Sequence, residues 1–259
     1  MKSKIKNINN AKIGIILGSG QSSIKKLIKI NKIVSFKDLS GFDNTTVKGH
    51  EGEIVLGHID GTNVICSLGR FHYYEGISIG SVSRIVNLFH ELGIEKLIIC
   101  NSSGCLKKEW NIGDVMYING CIDYSYISHI HPEIIFNDEL HKNNIDNLIN
   151  NISTDLNINV RIGPYVWVTG PSYETPSEIL DMIELGGGAV GMSTFPEIRS
   201  AIALGLDVYG LALLTNYGSG ITPNKLTHKE VVNNANYNID KLENIIYKLT
   251  RSLRKELNE

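Results

Sequence analysis

The sequence predicts an α/β fold in which helices pack outside a largely parallel sheet. Short apolar runs end in glycine or small polar residues, and segments whose apolar residues recur at helical spacing lie between them. This alternation is typical of a parallel sheet covered by helices. The 259 residues can bury a large core as one domain or as two, and no linker is long enough to divide them.

Four predicted strands carry glycine or polar residues at their carboxyl ends, which is where ligands bind in open α/β sheets. The strands are residues 12–17, 96–100, 165–169 and 208–214. In the same order, they lead into Gly18-Ser19-Gly20, residues 101–104, residues 170–174 and Thr215-Asn216. These strand ends are the candidate positions for a functional site.

Helices are predicted between and after these strands. Residues 81–92 repeat apolar side chains at helical spacing, and the Asn-rich segment 137–159 predicts a surface helix with a loop. From Thr227 onward the chain predicts a long terminal helix, and residues 227–230 fit a capping box at its start. An apolar stripe along this helix indicates core packing, with a coiled-coil partner as the alternative. The stripe is Ala235, Ile239, Leu242, Ile246, Leu249 and Leu253.

A further strand over residues 62–68 runs into a segment with three polar side chains at alternate positions. In an extended chain Arg70, His72 and Tyr74 would point the same way. A converging guanidinium and imidazole suit an oxyanion such as phosphate, because arginine offers a planar fork of donors. A surface strand with a solvated arginine and a half-buried histidine is the alternative.

Two other constellations also allow both a ligand-binding and a structural interpretation. Gly18-Ser19-Gly20 could hold an anion through backbone N–H groups and a hydroxyl, or form a tight turn, and it lacks the lysine of a Walker A motif. Tyr173 could cover a planar ligand whose ring N–H donates to Glu174. Alternatively, Glu174 could simply favour the dipole of a helix N-terminus.

Residues near the last two strand ends are equally ambiguous when taken alone. Met192 and Ser193 follow a glycine-rich run and could supply an apolar contact and a hydroxyl, or belong to a glycine turn with a core methionine. Asn216 can donate and accept at once, which suits a heteroaromatic edge, although asparagine at a strand end is also common in turns.

Composition restricts the partners that can be expected. Charged residues make up 20% of the chain and the formal net charge is −2, so no polycation is available for nucleic acid. The four cysteines lack metal-ligand spacing, which argues against a zinc site or a disulfide framework. No apolar run approaches the roughly 20 residues that span a bilayer, and the first is too short for a signal peptide. We therefore expect a soluble cytoplasmic protein with no metal, nucleic-acid or membrane partner.

Nine motifs occur in one order across most of the chain. They are GIILGSG (14–20), GHEGEIVLG (49–57), GRFHYYEG (69–76), NSSGCL (101–106), NIGDVM (111–116), GPSYETPSEI (170–179), GAVGMSTFPEI (188–198), LLTNYGSGI (213–221) and HKEVV (228–232). In these motifs the chain resembles the trimeric, low-molecular-mass purine nucleoside phosphorylases. The resemblance implies a single α/β domain over residues 1–259, with a mixed, partly barrel-like central sheet flanked by helices, assembled as a homotrimer.

The resemblance also implies roles for individual residues. Inorganic phosphate, a co-substrate, would be bound by Ser19, Arg70, His72, Ser193 and the backbone at Ser102, with His50 in a loop that closes over it. The ribose would contact Tyr74 and Met192, with His228 at its 5′-hydroxyl, and the purine would be held by Tyr173, Glu174 and Asn216. The catalytic residues would be Asn216, Glu174 and His72, and no cofactor or metal is implied.

The implied reaction is the reversible phosphorolysis of a purine nucleoside. Phosphate held by Arg70 would attack C1′ as the ribose becomes cationic, while Asn216 would donate to N7 as the purine gains charge. A 6-oxopurine carries an N1–H that an ionised Glu174 accepts, whereas adenine presents a bare N1 acceptor. Related methylthioadenosine phosphorylases carry Asp at the position of Asn216. Inosine, guanosine and their 2′-deoxy forms are therefore the expected substrates.

Two segments depart from the family pattern. Ser102-Ser103 stands where the family commonly has Ala-Ala. Residues 120–145 do not align clearly with the loop that lends an aromatic side chain to the neighbouring subunit, a role for which Phe136 is a candidate. Three alternatives remain: a phosphorylase of adenosine or methylthioadenosine, a nucleosidase that uses water, and a non-catalytic purine-binding protein.

Overall fold

A computed structural model of the chain describes residues 10–39, 41–42, 51–127, 131–135, 145–223 and 227–258. The strands are β1 (Ile13–Ile16), β2 (Lys29–Ser35), β3 (Glu53–Ile59), β4 (Thr62–Leu68), β5 (Lys96–Cys105), β6 (Val115–Asp123), β7 (Glu133–Ile135), β8 (Val160–Trp167), β9 (Ala189–Gly191) and β10 (Asp207–Tyr217). The helices are α1 (Ile79–Val82), α2 (Arg84–Glu91), α3 (Asp146–Leu156), α4 (Pro176–Glu184), α5 (Phe195–Ala203) and α6 (His228–Asn258). Short 3-10 helices cover Ser22–Leu27, Phe36–Asp38 and Tyr73–Glu75.

These strands form one mixed sheet, part of which closes on itself. The strand order is β10-β6-β8-β9-β5-β1-β4-β3-β2, with β7 beside β6. A further pairing joins β10 to β5, so that five strands form a ring. The expected α/β domain with a mixed, partly barrel-like sheet flanked by helices is therefore confirmed.

The expectation of a largely parallel sheet, which rested on the alternation of elements, is wrong. Of the ten described strand pairs, five are parallel and five antiparallel. Antiparallel neighbours need only a short turn, whereas parallel ones need a crossover. Between β3 and β4 the turn is Asp60-Gly61, both with positive φ (47° and 75°), as a two-residue hairpin turn requires.

Two large apolar clusters fill the two sides of the sheet. One includes Trp167 stacked on Phe195, with ring centroids 5.5 Å apart. The other includes the whole predicted stripe of α6, from Ala235 to Leu253, which is buried as core packing. Cys66, Cys100, Cys105 and Cys121 are buried free thiols. Among the helices that the structure describes, none combines the length and apolarity needed to cross a bilayer.

Several elements differ in extent from their sequence-based predictions. The helix predicted over residues 81–92 is divided at Ser83, whose hydroxyl donates to the Pro196 carbonyl at 2.8 Å. Strands β5 and β10 continue through their polar residues, because they pair in parallel from Lys96–Asp207 to Cys105–Tyr217. In segment 137–159, α3 confirms the predicted helix. For the capping box over residues 227–230, the side chains after Thr227 lie outside the described part of the structure.

Candidate active site

A cleft opens where β1, β4, β5, β9 and β10 end, beside the segment that follows β8. Its empty volume, including solvent at the mouth, is about 670 Å³, a size suited to a small-molecule ligand. Many of the candidate residues from the sequence line this cleft. They are Ser19, Arg70, His72, Tyr74, Ser102, Tyr173, Glu174, Met192, Ser193 and Asn216.

Arg70 lies at the base of this cleft with its side chain held on several sides. The residue is 0% exposed, and Nη1 donates to the hydroxyls of Ser193 and Thr194, both at 3.0 Å. Its Nε lies 3.4 Å from Oε1 of Glu197, whose side chain is also 0% exposed. Burial raises the pKa of the Glu197 carboxyl, and the Arg70 guanidinium opposes that rise. The guanidinium is therefore oriented before any ligand arrives, and it is not the solvated surface arginine of the alternative interpretation.

Thr194 forms a strained turn beside Arg70. Its backbone has φ 73° and ψ −52°, which a β-branched residue rarely adopts and which costs about 1–3 kcal/mol. The Thr194 hydroxyl accepts from Arg70 and from Nδ2 of Asn101, the latter at 2.8 Å. Across the turn, the Phe195 N–H donates to the Ser193 carbonyl at 2.8 Å. The turn and its hydrogen bonds fix the Ser193 hydroxyl against Arg70 at the start of α5.

His72 and Tyr74 form one stacked pair in the cleft. Their ring centroids are 4.9 Å apart with planes at 21°. Glu75 Oε1 accepts from the His72 backbone N–H at 2.7 Å and lies 3.3 Å from Nδ1 of the same residue. Burial, with smaller contributions from Glu75 and Tyr173, raises the pKa of Tyr74 to about 12, so the phenol stays neutral. Tyr74 reaches the cleft from a 3-10 helix, and the prediction that an extended chain would carry it is wrong.

Met192 continues the wall that Tyr74 begins. The backbone of Gly170 passes directly beneath both side chains with a φ of 69°. A Cβ at this position would overlap Sδ of Met192 and lie 2.9 Å from Cδ1 of Tyr74. Glycine is therefore required where the segment after β8 meets this wall.

Glu174 lines the cleft and is not the cap of the following helix. Helix α4 is capped by Thr175, whose Oγ1 accepts from the Glu178 N–H at 3.3 Å, while the Glu178 carboxylate accepts from the Thr175 N–H at 2.7 Å. The capping box is therefore complete without Glu174, which lies one position before the cap and lines the cleft. Burial raises the pKa of the Glu174 carboxyl. The neighbouring Tyr173 ring is 38% exposed at the mouth.

The amide of Asn216 is oriented by its neighbours in the chain. The Thr215 hydroxyl donates to Oδ1 at 2.9 Å, and Nδ2 donates to the Tyr217 carbonyl at 3.0 Å. These two bonds distinguish the oxygen from the nitrogen of the amide. A Cβ at Gly104 would lie 3.2 Å from Nδ2, so the lack of a side chain at Gly104 leaves room for the Asn216 amide. Asn216 is 7% exposed and thus combines a turn-like backbone contact with access to the cleft.

The Gly18-Ser19-Gly20 loop is both a tight turn and part of the cleft. The Ser102 hydroxyl donates to the Ser19 carbonyl at 2.9 Å, which connects the loop to the middle of β5. A Cβ at Gly18 would lie 2.9 Å from the Asn101 Cα, so the close approach of the two backbones requires glycine.

Some site residues lie outside the described structure, and others were missed in the sequence. His50 lies outside the described residues, as does the side chain of His228, although Val231 in the next turn of α6 lines the cleft. Glu197, Thr194 and Asn101 lie within quoted motifs, but no spacing signal assigned them a role. Across the described ranges, no three His, Cys, Asp or Glu side chains are grouped to hold a metal ion.

The fold and the cleft together define a class of protein. A buried, preorganised guanidinium with hydroxyls lies beside a carboxylate, an amide and aromatic rings, at the strand ends of a mixed, partly closed sheet. Such a cleft suits a ligand that joins an anion to a heteroaromatic ring. The family model of the phosphorylase superfamily matches residues 12–251. The chain therefore belongs to the phosphorylase superfamily.

The relatives to which the chain is similar include purine nucleoside phosphorylases. Purine nucleoside phosphorylase 1 of Bacillus subtilis is 37% identical over 232 residues, covering 85% of this chain and 84% of the relative. A crystal structure of Schistosoma mansoni purine nucleoside phosphorylase in complex with inosine has a TM-score of 0.81 at 25% identity, covering 95% of this chain and 92% of that one. A crystal structure of the same schistosome enzyme in complex with adenosine has a TM-score of 0.82 at 25% identity, covering 95% of this chain and 91% of that one.

Proposed function

We propose that the chain catalyses the reversible phosphorolysis of 6-oxopurine nucleosides, giving the free purine and ribose or deoxyribose 1-phosphate. The observation that carries the proposal is the single cleft in which Arg70 and Ser193 lie together with Glu174 and Asn216. Relatives named purine nucleoside phosphorylase, one of them crystallised with inosine, support it.

Phosphate would be bound between the ends of β1, β4, β5 and β9. Arg70 would supply the fixed positive charge, and the hydroxyls of Ser19 and Ser193 with the backbone N–H of Ser102 would donate to the phosphate oxygens. His72, held by Glu75, would donate from its ring. The bound dianion would lie beneath the ribose, stabilise its cationic transition state and form the new bond to C1′.

The purine would lie on the other side of the cleft. Asn216 would donate to N7 while negative charge develops on the leaving base, so its bond would strengthen in the transition state. Glu174, when ionised, would accept from N1–H, and Tyr173 would cover the ring. Tyr74 and Met192 would form the wall along the ribose, with His228 at the 5′-hydroxyl and His50 near phosphate.

We also propose that the protein is a homotrimer, acts in the cytoplasm and requires phosphate as its co-substrate. Phosphorolysis needs phosphate as a co-substrate and no redox cofactor, because exchanging the C–N bond at C1′ for a C–O bond changes no oxidation state. We propose that no metal takes part. The family resemblance supports a homotrimer acting in the cytoplasm. Sedimentation equilibrium on the purified chain tests the assembly, for which a mass of one or two subunits would contradict the proposal.

A second activity, phosphorolysis of adenosine, is favoured by one observation. Burial raises the pKa of the Glu174 carboxyl, and a protonated carboxyl can donate to the bare N1 of adenine. The schistosome relative has been crystallised with adenosine.

Initial rates on four nucleosides, with and without phosphate, test the proposed function. Inosine and guanosine should react only with phosphate present, and adenosine and methylthioadenosine should react slowly at neutral pH. Arg70→Ala should abolish turnover, and Glu174→Gln should reduce the preference for inosine over adenosine. Negligible turnover of inosine and guanosine would refute the 6-oxopurine assignment, and undiminished rates without phosphate would indicate a nucleosidase.

A further inference from the structure

Gln21 is a fully buried polar side chain that the sequence motifs leave without a role. It follows the Gly18-Ser19-Gly20 loop, is 0% exposed, and does not line the cleft. Its Oε1 accepts from the backbone N–H of Gly18 at 2.7 Å, and its Nε2 donates to the carbonyl of Asn101 at 2.9 Å. Both ends of the amide are therefore used, and each is bonded to a different backbone segment.

The two segments are those that would bind phosphate. Gly18 precedes Ser19, whose hydroxyl is a proposed phosphate donor. Asn101 precedes Ser102, whose backbone N–H is another. Because Gln21 bonds to the residue before each donor, its amide fixes how far the loop after β1 stands from the middle of β5. The Ser102 hydroxyl adds a second connection between the same segments, to the Ser19 carbonyl at 2.9 Å.

We propose that Gln21 is a positioning residue for the phosphate site, which it completes by fixing Ser19 against the Ser102 backbone without touching the ligand. The inference rests on the proposed phosphate-dependent function. Removing the amide would leave the Gly18 N–H and the Asn101 carbonyl without their partner. The two segments would then be free to shift, and phosphate would have to order them on binding.

The nucleoside side of the cleft is built from other elements. Glu174 lies on the segment after β8, and Asn216 lies on β10, where its amide is bonded to Thr215 and Tyr217. A positioning role therefore predicts a selective effect on phosphate, whereas general destabilisation of the fold would alter both substrates.

The test measures the KM for inorganic phosphate and the KM for inosine in Gln21→Leu, which retains the bulk and loses both hydrogen bonds. We expect the KM for phosphate to rise about tenfold, from the loss of two buried bonds. The KM for inosine should stay within about twofold, since its binding groups are unchanged. Leu253→Ala is the matched control. It opens a cavity in a 0% exposed position of α6, about 33 Å along the helix from Val231, and should leave both KM values unchanged.

Gln21→Glu gives a second readout that does not depend on the folding of the leucine variant. Its ionised carboxylate can accept from Gly18 but cannot donate to Asn101, whereas the protonated form can do both. The ratio of its phosphate KM to that of the wild type should therefore fall as the pH is lowered. An unchanged phosphate KM in both variants, or equal rises for phosphate and inosine, would overturn the positioning role. Wild-type turnover at a rate that does not depend on phosphate would refute the proposed function as well.

Discussion

The buried pair of Arg70 and Glu197 makes a quantitative prediction about stability and phosphate. Both side chains are 0% exposed and their charged atoms lie 3.4 Å apart. Removing one partner of such a pair leaves an uncompensated charge in the interior, which costs about 3–5 kcal/mol. For a domain of this size each kcal/mol lowers the Tm by about 2–4 °C. Glu197→Ala should therefore lower the Tm by about 6–20 °C.

Phosphate should restore part of this loss. An ionised Glu197 would compensate the guanidinium in the wild type, whereas in Glu197→Ala a bound phosphate would be its nearest counter-charge. The phosphate-induced rise in Tm should therefore be larger for the variant than for the wild type.

Thermal unfolding followed by circular dichroism over a phosphate series measures both effects. Asp155→Ala is the matched control. It removes an ion pair with Lys248 whose side chains are 60% and 33% exposed, and such a pair contributes at most about 1 kcal/mol. A Tm loss in Glu197→Ala no greater than in Asp155→Ala would refute the buried-charge reasoning. An equal phosphate response in wild type and variant would refute the coupling to the anion site.

Three further predictions concern the cleft. Because burial raises the Glu174 pKa, kcat/KM for inosine should fall as the pH drops through that pKa. Over the same pH range, kcat/KM for adenosine should rise relative to kcat/KM for inosine. A ratio of the two kcat/KM values that does not change with pH would contradict this role of Glu174. Thr194→Val should reduce kcat/KM by roughly tenfold to a hundredfold, because it loses the hydrogen bond to Arg70. Thr194→Ser keeps the hydroxyl and should retain most of the activity. Equal losses of kcat/KM in the two variants would show that the hydroxyl is irrelevant. Gly18→Ala should raise the KM for phosphate at least about fivefold, because its Cβ would lie 2.9 Å from the Asn101 Cα; wild-type kinetics would show that the approach can relax.

Much of the fold could be predicted from local patterns in the sequence. Strand β4 and the stripe of α6 follow from the local apolar pattern alone, because β4 is an apolar run buried on both faces and α6 buries one continuous face. Strand direction could not be predicted from these patterns. It depends on pairings such as that of β10 with β5, between segments about a hundred residues apart, for which local spacing carries no information. The break at Ser83 likewise depends on a bond to Pro196 in a distant helix.

The site residues that lie in recognisable motifs could be predicted from the sequence. The residues that act through buried contacts with distant segments could not. Arg70, Glu174 and Asn216 stand in motifs whose order resembles one family, and the structure places them in one cleft. Glu197 and Gln21 act through contacts that only the folded chain creates, the first 3.4 Å from Arg70 and the second across to Asn101. Their residue types, a glutamate and a glutamine near turns, give no signal of this in the sequence.

Phosphate, and not water, is the proposed nucleophile that cleaves the glycosidic bond of a 6-oxopurine nucleoside. Phosphorus-31 NMR of inosine conversion by the wild-type chain tests it most directly. If phosphate is the nucleophile, one ribose 1-phosphate forms for each hypoxanthine released, and no hypoxanthine forms in phosphate-free buffer. Hypoxanthine accompanied by free ribose, at a rate that phosphate does not change, would contradict it.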